Sequence, residues 1–164
     1  MSEQLQKIDH SALRLNQAMI IVLSILAFIF NQLWLALLVA LVMGAGTALK
    51  APGFGWLYGR FLKPLKLVKP LVLWDNPEPH RFAQGLGSVF MLAGSFLLWL
   101  GAVTLGWGLV WLVIALAALN LFAGFCAGCL AYYWLTRLKV PGFHKSPPAG
   151  AFPGMRPKTR VYES

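Results

Sequence analysis

The chain has 164 residues, of which 59% are apolar and 12% charged, and its 14 basic residues against five acidic ones give a net charge of +9. This length and composition leave no room for a globular domain beside a membrane domain, which excludes a soluble enzyme with an added anchor. In a soluble protein such a charge would suggest a nucleic-acid partner, but the placement of the charges excludes that class.

Two long blocks of the chain carry no charge. Asp, Glu, Lys, Arg and His are all absent from residues 15–49 and 82–136. A helix or strand of a soluble protein keeps one face in water, so blocks of this kind are expected to lie in lipid. The sequence therefore predicts an integral membrane protein with the lipid bilayer as its main partner and with no nucleic acid bound.

The first block predicts a helical hairpin. One bilayer crossing needs about 20 residues, whereas a single helix over this block would be about 52 Å long. We expect helices over residues 12–30 and 33–49, joined by a turn at Asn31-Gln32. A re-entrant pair is the alternative, because both crossings are short. We expect the first helix to be retained and not cleaved as a signal peptide, since a second apolar segment follows at once.

The loop over residues 50–80 is predicted to lie on the inner surface of the membrane. Its aromatic residues suit the headgroup level, and its lysines, spaced by three, suit anionic lipids of the inner leaflet. The alternative is a loop that fixes the topology without binding a particular lipid. The residues concerned are Trp56, Tyr58, Phe61, Lys63, Lys66 and Lys69.

The second block predicts another hairpin, with helices over residues 81–100 and 107–135. The first part of its last helix is apolar on all sides apart from Asn120, which argues against the alternating strands of a β-barrel. We therefore predict an all-α membrane protein in which residues 1–138 form four transmembrane helices. Residues 139–164, rich in Pro, Gly and Lys, are expected to be a disordered tail.

The basic residues predict the orientation of these helices. Neither hairpin turn contains Lys or Arg, so all 14 basic residues lie on the other side of the two hairpins. By the positive-inside rule, both termini and the middle loop are expected in the cytoplasm, with the protein in the inner membrane of a bacterial cell.

Each hairpin opens on a similar element, which favours a parallel internal repeat with its axis along the membrane normal. The element contains an acid, a histidine, an arginine and a glutamine: Asp9, His10, Arg14 and Gln17 in the first half, and Asp75, His80, Arg81 and Gln84 in the second. We expect both arginines and both glutamines to meet at one cytoplasmic mouth that binds an anionic or thiol-bearing group. Asp75 and His80 are further candidate binding residues. The alternative is membrane anchoring and helix capping.

Cys126 and Cys129 form a C-x-x-C motif and carry the strongest chemical signal. In a continuous helix the two sulfurs would lie on one face, close enough to pair. Three interpretations stay open: small apolar side chains in a helix contact, a thiol redox or sulfur-transfer pair, and two metal ligands. A metal would need two further ligands, and the histidines lie in predicted loops, so no metal and no cofactor are expected.

Small residues flank the cysteine pair at a spacing of four. Asn120, Gly124 and Gly128 would lie on the helix face opposite the cysteines and allow close packing of another helix. Ala83 and Gly87 would offer a comparable surface near the start of the third helix. Helix packing is the plain interpretation of this pattern.

Two segments together resemble the prokaryotic domain-of-unknown-function 4395 family. Residues 75–85 resemble the family's D-P-x-x-P-R-F-A-Q element before its third helix, and residues 124–129 match its G-F-C-x-G-C element in the fourth. The resemblance covers most of residues 8–138 and implies a multi-pass membrane protein without an established activity. Leu130 stands where the family has an acidic residue, so a proton-shuttling role at that position is not carried over.

The leading hypothesis is a small membrane protein whose cysteine pair handles thiol, disulfide or sulfane-sulfur chemistry with a thiol-redox or sulfur-carrier protein. Arg14 and Arg81 would favour the thiolate, while Gln17, Gln84 and Asn120 would orient the site. The alternative is a non-catalytic structural or assembly subunit of a larger membrane complex. A transporter is disfavoured, because no predicted helix interior carries a charge.

Overall fold

The computed structural model describes residues 6–55, 59–60, 71–148, 150 and 152–156. These residues form two strands and five α-helices, and the predicted all-α class is confirmed. The strands are β1 (Gln6–Asp9) and β2 (Val72–Asp75). The helices are α1 (His10–Ile29), α2 (Leu33–Ala48), α3 (Pro77–Trp99), α4 (Val103–Ala118) and α5 (Ala127–Arg137). The six lysine and aromatic residues named above for the predicted lipid-binding loop lie outside the described residues.

The two strands pair antiparallel and join the two halves of the chain, a contact that the sequence did not predict. Gln6 faces Asp75 and Asp9 faces Val72 in this register. The pairing continues into α1, where the amide of His10 donates a hydrogen bond to the carbonyl of Leu71 over 2.8 Å. Because β1 leads directly into α1 and β2 into α3, the amino ends of these two helices lie side by side.

Helix α3 is central to the bundle. It contacts α2, α4 and α5, while α1 packs against α2 and α4. Polar bonds join α3 to α2: Ser88 Oγ donates to the carbonyl of Ala40 over 2.8 Å, and Gln84 Nε2 donates to the carbonyl of Met43 over the same distance. The buried apolar core includes Ile20, Ala27, Val39, Met43, Met91, Trp107, Val110 and Ile114.

Three helical segments are long and apolar enough to cross a membrane: α1, α3 and residues 103–123. Helix α2 is also apolar but has only 16 residues. Large apolar side chains on these segments are exposed, and Ile29, Trp34, Trp99 and Leu105 each expose about two thirds of their surface. Three of the four predicted crossings therefore meet the usual length requirement, and α2 falls short of it.

The predicted helix over residues 107–135 is interrupted in the structure. Helix α4 ends in a π-helical turn, Leu119–Ala123, and Gly124 then takes a left-handed conformation with φ of +68°. Glycine adopts this conformation without steric cost, so the helix ends here. Phe125 then pairs with Met155 as an isolated bridge, and α5 begins two residues later. The cysteines therefore lie at the start of a helix and not within one.

The break also separates the predicted stripe of small residues. Asn120 belongs to the π-helical turn, Gly124 is the left-handed residue at its end, and Gly128 lies in α5. Only the contact of Gly128 with α3 resembles the prediction, because a Cβ added there would lie 2.5 Å from the Cβ of Ala83. Helices α5 and α3 therefore pack so closely at this point that no side chain fits at Gly128.

The sequence predicts a disordered tail from residue 139, whereas the described part of the tail contacts the bundle. Asn76 Nδ2 donates a hydrogen bond to the carbonyl of Ser146 over 2.8 Å. The ring of Phe143 packs against the rings of Phe82 and Tyr132. Backbone groups freed by the helix break also need partners, and the tail supplies them at residues 154–156.

Candidate functional site

The cysteine pair, Cys126 and Cys129, is joined as a disulfide with its Cα atoms 5.1 Å apart. Cys126 is the N-cap residue of α5, and its Sγ accepts a hydrogen bond from the amide of Cys129 over 3.2 Å. Both residues are buried. The positive end of a helix and a direct amide bond favour a thiolate over a thiol, so Cys126 is the better nucleophile once the pair is reduced.

His80 lies between the cysteine pair and a buried carboxylate. Its Nδ1 is 3.6 Å from Cys129 Sγ, and its Nε2 is 2.8 Å from Asp75 Oδ2. If Nε2 carries the proton and donates it to Asp75, then Nδ1 has a free lone pair that faces the sulfur. The geometry is that of a base beside a thiol, with a carboxylate holding the base in one tautomer.

A second histidine completes this group. His10 Nε2 lies 3.3 Å from the same Asp75 oxygen, and the rings of His10 and His80 meet edge to face with centroids 5.6 Å apart. His10 exposes 3% of its surface and Asp75 exposes 4%. We refer to His10, Asp75 and His80 as the histidine–aspartate cluster, which the pairing of β1 with β2 brings together.

The carboxyl group of the cluster is strongly acidic. Burial by itself would raise the pKa of Asp75, but the adjacent imidazoles of His10 and His80 and the hydrogen bond from the amide of Asn76 outweigh it. They hold this pKa well below its usual value, and the amide bond is 2.8 Å long. Asp75 is therefore ionised throughout the physiological pH range and can fix the proton of His80 on Nε2.

Residues 152–156 form a strap across the cysteine pair. The amide of Cys126 donates to the carbonyl of Gly154 over 2.7 Å, and the amide of Arg156 donates to the carbonyl of Gly124 over 3.0 Å. Arg156 Nη2 also lies 3.4 Å from the carbonyl of Asn120. Gly154 has φ of +85°, and a Cβ there would lie 2.9 Å from the carbonyl oxygen of Cys126. Only glycine allows the strap to approach so closely.

A small cavity of about 20 Å³ lies between the strap, the cysteine pair and the histidine–aspartate cluster. This volume suffices for about one water molecule. A larger cavity of about 110 Å³ lies toward the core of the helices, and we call it the inner cavity. Apolar residues such as Leu13, Ile20 and Phe90 line much of it, and Cys126 contacts both cavities.

The inner cavity brings together several residues that the sequence singled out. Gln17, Gln84, His80 and Asn120 line it together with Cys126. Gln17 Oε1 is buried and has no hydrogen-bond partner among the described residues. A free polar acceptor of this kind gives the largely apolar cavity a position where a ligand N–H, O–H or S–H would be favoured.

The two arginines that we expected beside the thiols lie elsewhere. Arg14 is exposed on α1 and is not among the described residues that line the inner cavity. Arg81 lines a separate cavity with Lys7, Asp9 and Lys50. Among the described residues, the basic side chain that lines the small cavity beside the cysteine pair is Arg156. Burial lowers the pKa of Arg156, and repulsion from Arg14 lowers it further.

Sequence reasoning missed three contributors to the site. His10 was noted in the repeated element but was not assigned to the site, although its counterpart His80 was, so comparison of the two elements could have found it. Asn16 was overlooked; its Oδ1 accepts from the amide of Phe54 over 2.9 Å and its Nδ2 lies 3.5 Å from Gln84 Oε1. Arg156 sits in a tail segment without any periodic pattern.

The fold and the site define an all-α protein with helices of membrane-spanning length, in which a disulfide-bonded C-x-x-C pair adjoins a buried histidine–aspartate cluster. The chain belongs to the family described as Domain of unknown function (DUF4395), whose family model matches residues 8–137. This confirms the resemblance seen in the sequence. No curated protein and no solved structure shows significant similarity to the chain. The chemistry must therefore be argued from the site itself.

Proposed function

We propose that the protein is a membrane thiol–disulfide exchange protein whose reactive group is the cysteine pair. The observation that carries this proposal is the contact of His80 with both Cys129 and Asp75. A cysteine that serves only in helix packing needs no base within reach of its sulfur. A pair at the start of a helix, with one sulfur beside a histidine held by a carboxylate, suits nucleophilic attack followed by resolution.

The exchange proceeds in two steps. The Cys126 thiolate attacks a disulfide of the partner, forms a mixed disulfide and releases one partner sulfur as a thiolate. His80 Nδ1 then takes the proton of Cys129, and the resulting thiolate attacks Cys126 Sγ. This closes the intramolecular disulfide and releases the second partner sulfur, which receives the proton from His80. Two electrons pass from the pair to the partner, a thiol-redox or sulfur-carrier protein.

We further propose residence in the bacterial inner membrane with four crossings and with both termini in the cytoplasm. Helix α2 would be about 24 Å long against a hydrocarbon core of about 30 Å, a mismatch that local thinning of the bilayer accommodates. The basic residues of the loop over residues 50–80 would then meet anionic lipids of the inner leaflet. The cysteine pair lies at the same end of the bundle as the paired strands, so under this proposal it would face the cytoplasm.

The proposed parallel repeat draws support from the sheet. Each strand leads directly into an apolar helix, β1 into α1 and β2 into α3, and the strands pair antiparallel. A twofold axis along the membrane normal would relate two such units. The two acids have different contacts, since Asp9 Oδ1 accepts from the amide of Ser11 whereas Asp75 binds both histidines.

The alternative, a structural subunit of a larger complex, is less favoured by the packing. The glycines that would form its docking faces contact helices of this same chain. A Cβ added to Gly87 would lie 2.7 Å from Met43 Cε, and Gly128 already contacts Ala83. Full complementation of a deletion strain by the Cys126→Ala, Cys129→Ala double variant would favour the structural role over exchange.

Single cysteine variants test the exchange proposal. The reduced protein in detergent is mixed with a chromogenic aromatic disulfide, and the released thiolate is measured together with the protein mass. We expect the wild type to release two thiolates and to finish unlabelled, because Cys129 resolves the mixed disulfide. Cys129→Ser should release one thiolate and keep the label on Cys126. Equal reaction rates for Cys126→Ser and Cys129→Ser, or a wild type that keeps its label, would contradict the assigned roles.

A second experiment tests the orientation. Inverted and right-side-out membrane vesicles are treated with a phosphine reductant and then with a membrane-impermeant maleimide. We expect labelling of Cys126 in inverted vesicles only, since the proposed orientation places the pair at the cytoplasmic surface. A cysteine substituted for Asn31, in the turn between α1 and α2, serves as the control and should show the opposite preference. Labelling of Cys126 from the outer side would refute the orientation.

A further inference from the structure

We infer that the reduced cysteine pair and His80 form a binding site for a zinc ion. The ligand atoms, Cys126 Sγ, Cys129 Sγ and a ring nitrogen of His80, all lie within 4.8 Å of one another. They come from two helices that pack closely at Gly128. Thiolate sulfur and imidazole nitrogen are the ligands that zinc prefers in proteins.

The spacing agrees with tetrahedral coordination. Zinc bonds of about 2.3 Å to sulfur and about 2.0 to 2.1 Å to nitrogen, at a tetrahedral angle, place the two ligand atoms roughly 3.5 Å apart. The distance from Cys129 Sγ to His80 Nδ1 is 3.6 Å. A metal ion could therefore join the site with little movement of this pair, once the bond between the two sulfurs has been reduced.

Asp75 provides the outer support that a zinc-bound histidine needs. It accepts the Nε2–H of His80 over 2.8 Å, which leaves Nδ1 as the metal ligand. Metal-bound histidines usually donate their other N–H to a carboxylate or carbonyl, and loss of that partner lowers metal affinity about 10- to 100-fold. The buried carboxylate of Asp75 thus holds His80 in the tautomer and orientation that a zinc ion would need.

The local charges balance when zinc is bound. Two thiolates neutralise the charge of the ion, and the remaining negative charge on Asp75 is matched by Arg156, which lines the small cavity beside the pair. That cavity also offers about the volume of one water molecule, the usual fourth ligand of a three-residue zinc site. The site is therefore neutral overall and has an open fourth position.

The histidine–aspartate cluster is a second possible metal site, because its three ligand atoms are also within 4.8 Å of one another. It shares His80 with the first, so the two sites exclude each other. The distance of 2.8 Å from His80 Nε2 to Asp75 is that of a hydrogen bond already formed, and the thiolate pair is the softer set of ligands. We therefore assign zinc to the pair with His80 and not to the cluster.

Loading requires reduction first. A phosphine and one water molecule convert the disulfide into two thiols and a phosphine oxide. Zinc then takes the place of the protons that the two thiols still carry, so that binding releases protons to the solvent. This assignment is independent of the exchange function, because it requires only that the pair can be reduced and not that it reacts with a partner.

The full chain in detergent tests the assignment. The protein is reduced with a phosphine, desalted and titrated with zinc against a competing chelator, and the same is done with cobalt while the absorption spectrum is recorded. We expect one zinc per reduced chain, little binding to the oxidised chain, and thiolate-to-cobalt charge-transfer bands. Cys126→Ser and Cys129→Ser should lose tight binding, and Asp75→Asn should weaken it about 10- to 100-fold.

His10→Ala is the matched control, because it removes a ligand of the competing cluster and leaves the thiols and His80 in place. It should keep zinc affinity within a few-fold of the wild type. Loss of binding in His10→Ala, equal stoichiometry in the oxidised chain, or a cobalt spectrum without thiolate bands would overturn the assignment. Circular dichroism of every variant separates loss of the site from loss of the fold. A chain that exchanges disulfides but binds no zinc refutes this inference alone.

Discussion

Replacing His80 with alanine is expected to slow closure of the intramolecular disulfide by a factor of about 10² to 10⁴, the usual contribution of a positioned base. His80 Nδ1 is the described ring nitrogen next to Cys129 Sγ, so the variant leaves that thiol without its proton acceptor. The first step, attack by Cys126, should change far less. Stopped-flow measurement separates the two steps through the two successive releases of aromatic thiolate.

Two further variants locate the origin of this effect. Asp75→Asn should slow closure as well, because an amide can donate to Nε2 and so favour the tautomer in which Nδ1 is protonated. His10→Ala should have the smallest effect, since it removes one partner of Asp75 and keeps the bond from Asp75 to His80 over 2.8 Å. If His80→Ala slowed both releases of thiolate equally, His80 would not act on Cys129.

Replacing Gly128 with alanine is expected to destabilise the protein by about 1 to 3 kcal/mol, the usual cost of overpacking. The new methyl group would lie 2.5 Å from the Cβ of Ala83 and 2.7 Å from its Cα. Because backbone atoms are involved, α5 must move away from α3, and Cys129 must move away from His80. Thermal inactivation in detergent, followed through helical content, measures the loss of stability.

Gly108→Ala is the matched control, because the same change in α4 brings no described atom within 4 Å of the new Cβ. It should leave stability unchanged or slightly raised, since alanine favours helix over glycine. The rate of disulfide closure adds a second readout, which should fall in Gly128→Ala and stay constant in Gly108→Ala. Equal thermal stability of the two variants would show that α5 tolerates a shift at this contact.

The sequence predicted the helices well because absence of charge is a property of each segment alone. The blocks at residues 15–49 and 82–136 contain α2 and α4 and most of α1, α3 and α5. Short motifs also located the reactive residues: Cys126, Cys129 and His80 all belong to the two elements that identified the family. Features that depend only on residues close together in sequence, such as apolar helices and short motifs, could therefore be predicted.

Contacts between segments that are distant in sequence could not be predicted. His10 reaches Asp75 because two four-residue strands pair, and strands this short give no clear periodic signal. The break at Gly124 was missed because a glycine within an apolar run also suits close helix packing. Its left-handed conformation is accompanied by backbone bonds to the tail, and such bonds leave no trace in side-chain patterns.

The strap is synthesised after the residues that it covers, because it lies near the carboxyl end of the chain. The two cysteines, the histidine–aspartate cluster and the described helical segments of membrane-spanning length precede residue 140. The partners of the Cys126 amide and the Gly124 carbonyl follow it, at Gly154 and Arg156. During translation, therefore, the helices can insert and the thiols are present before these bonds can form. A nascent chain arrested shortly after α5 would therefore hold a cysteine pair that the strap does not yet cover.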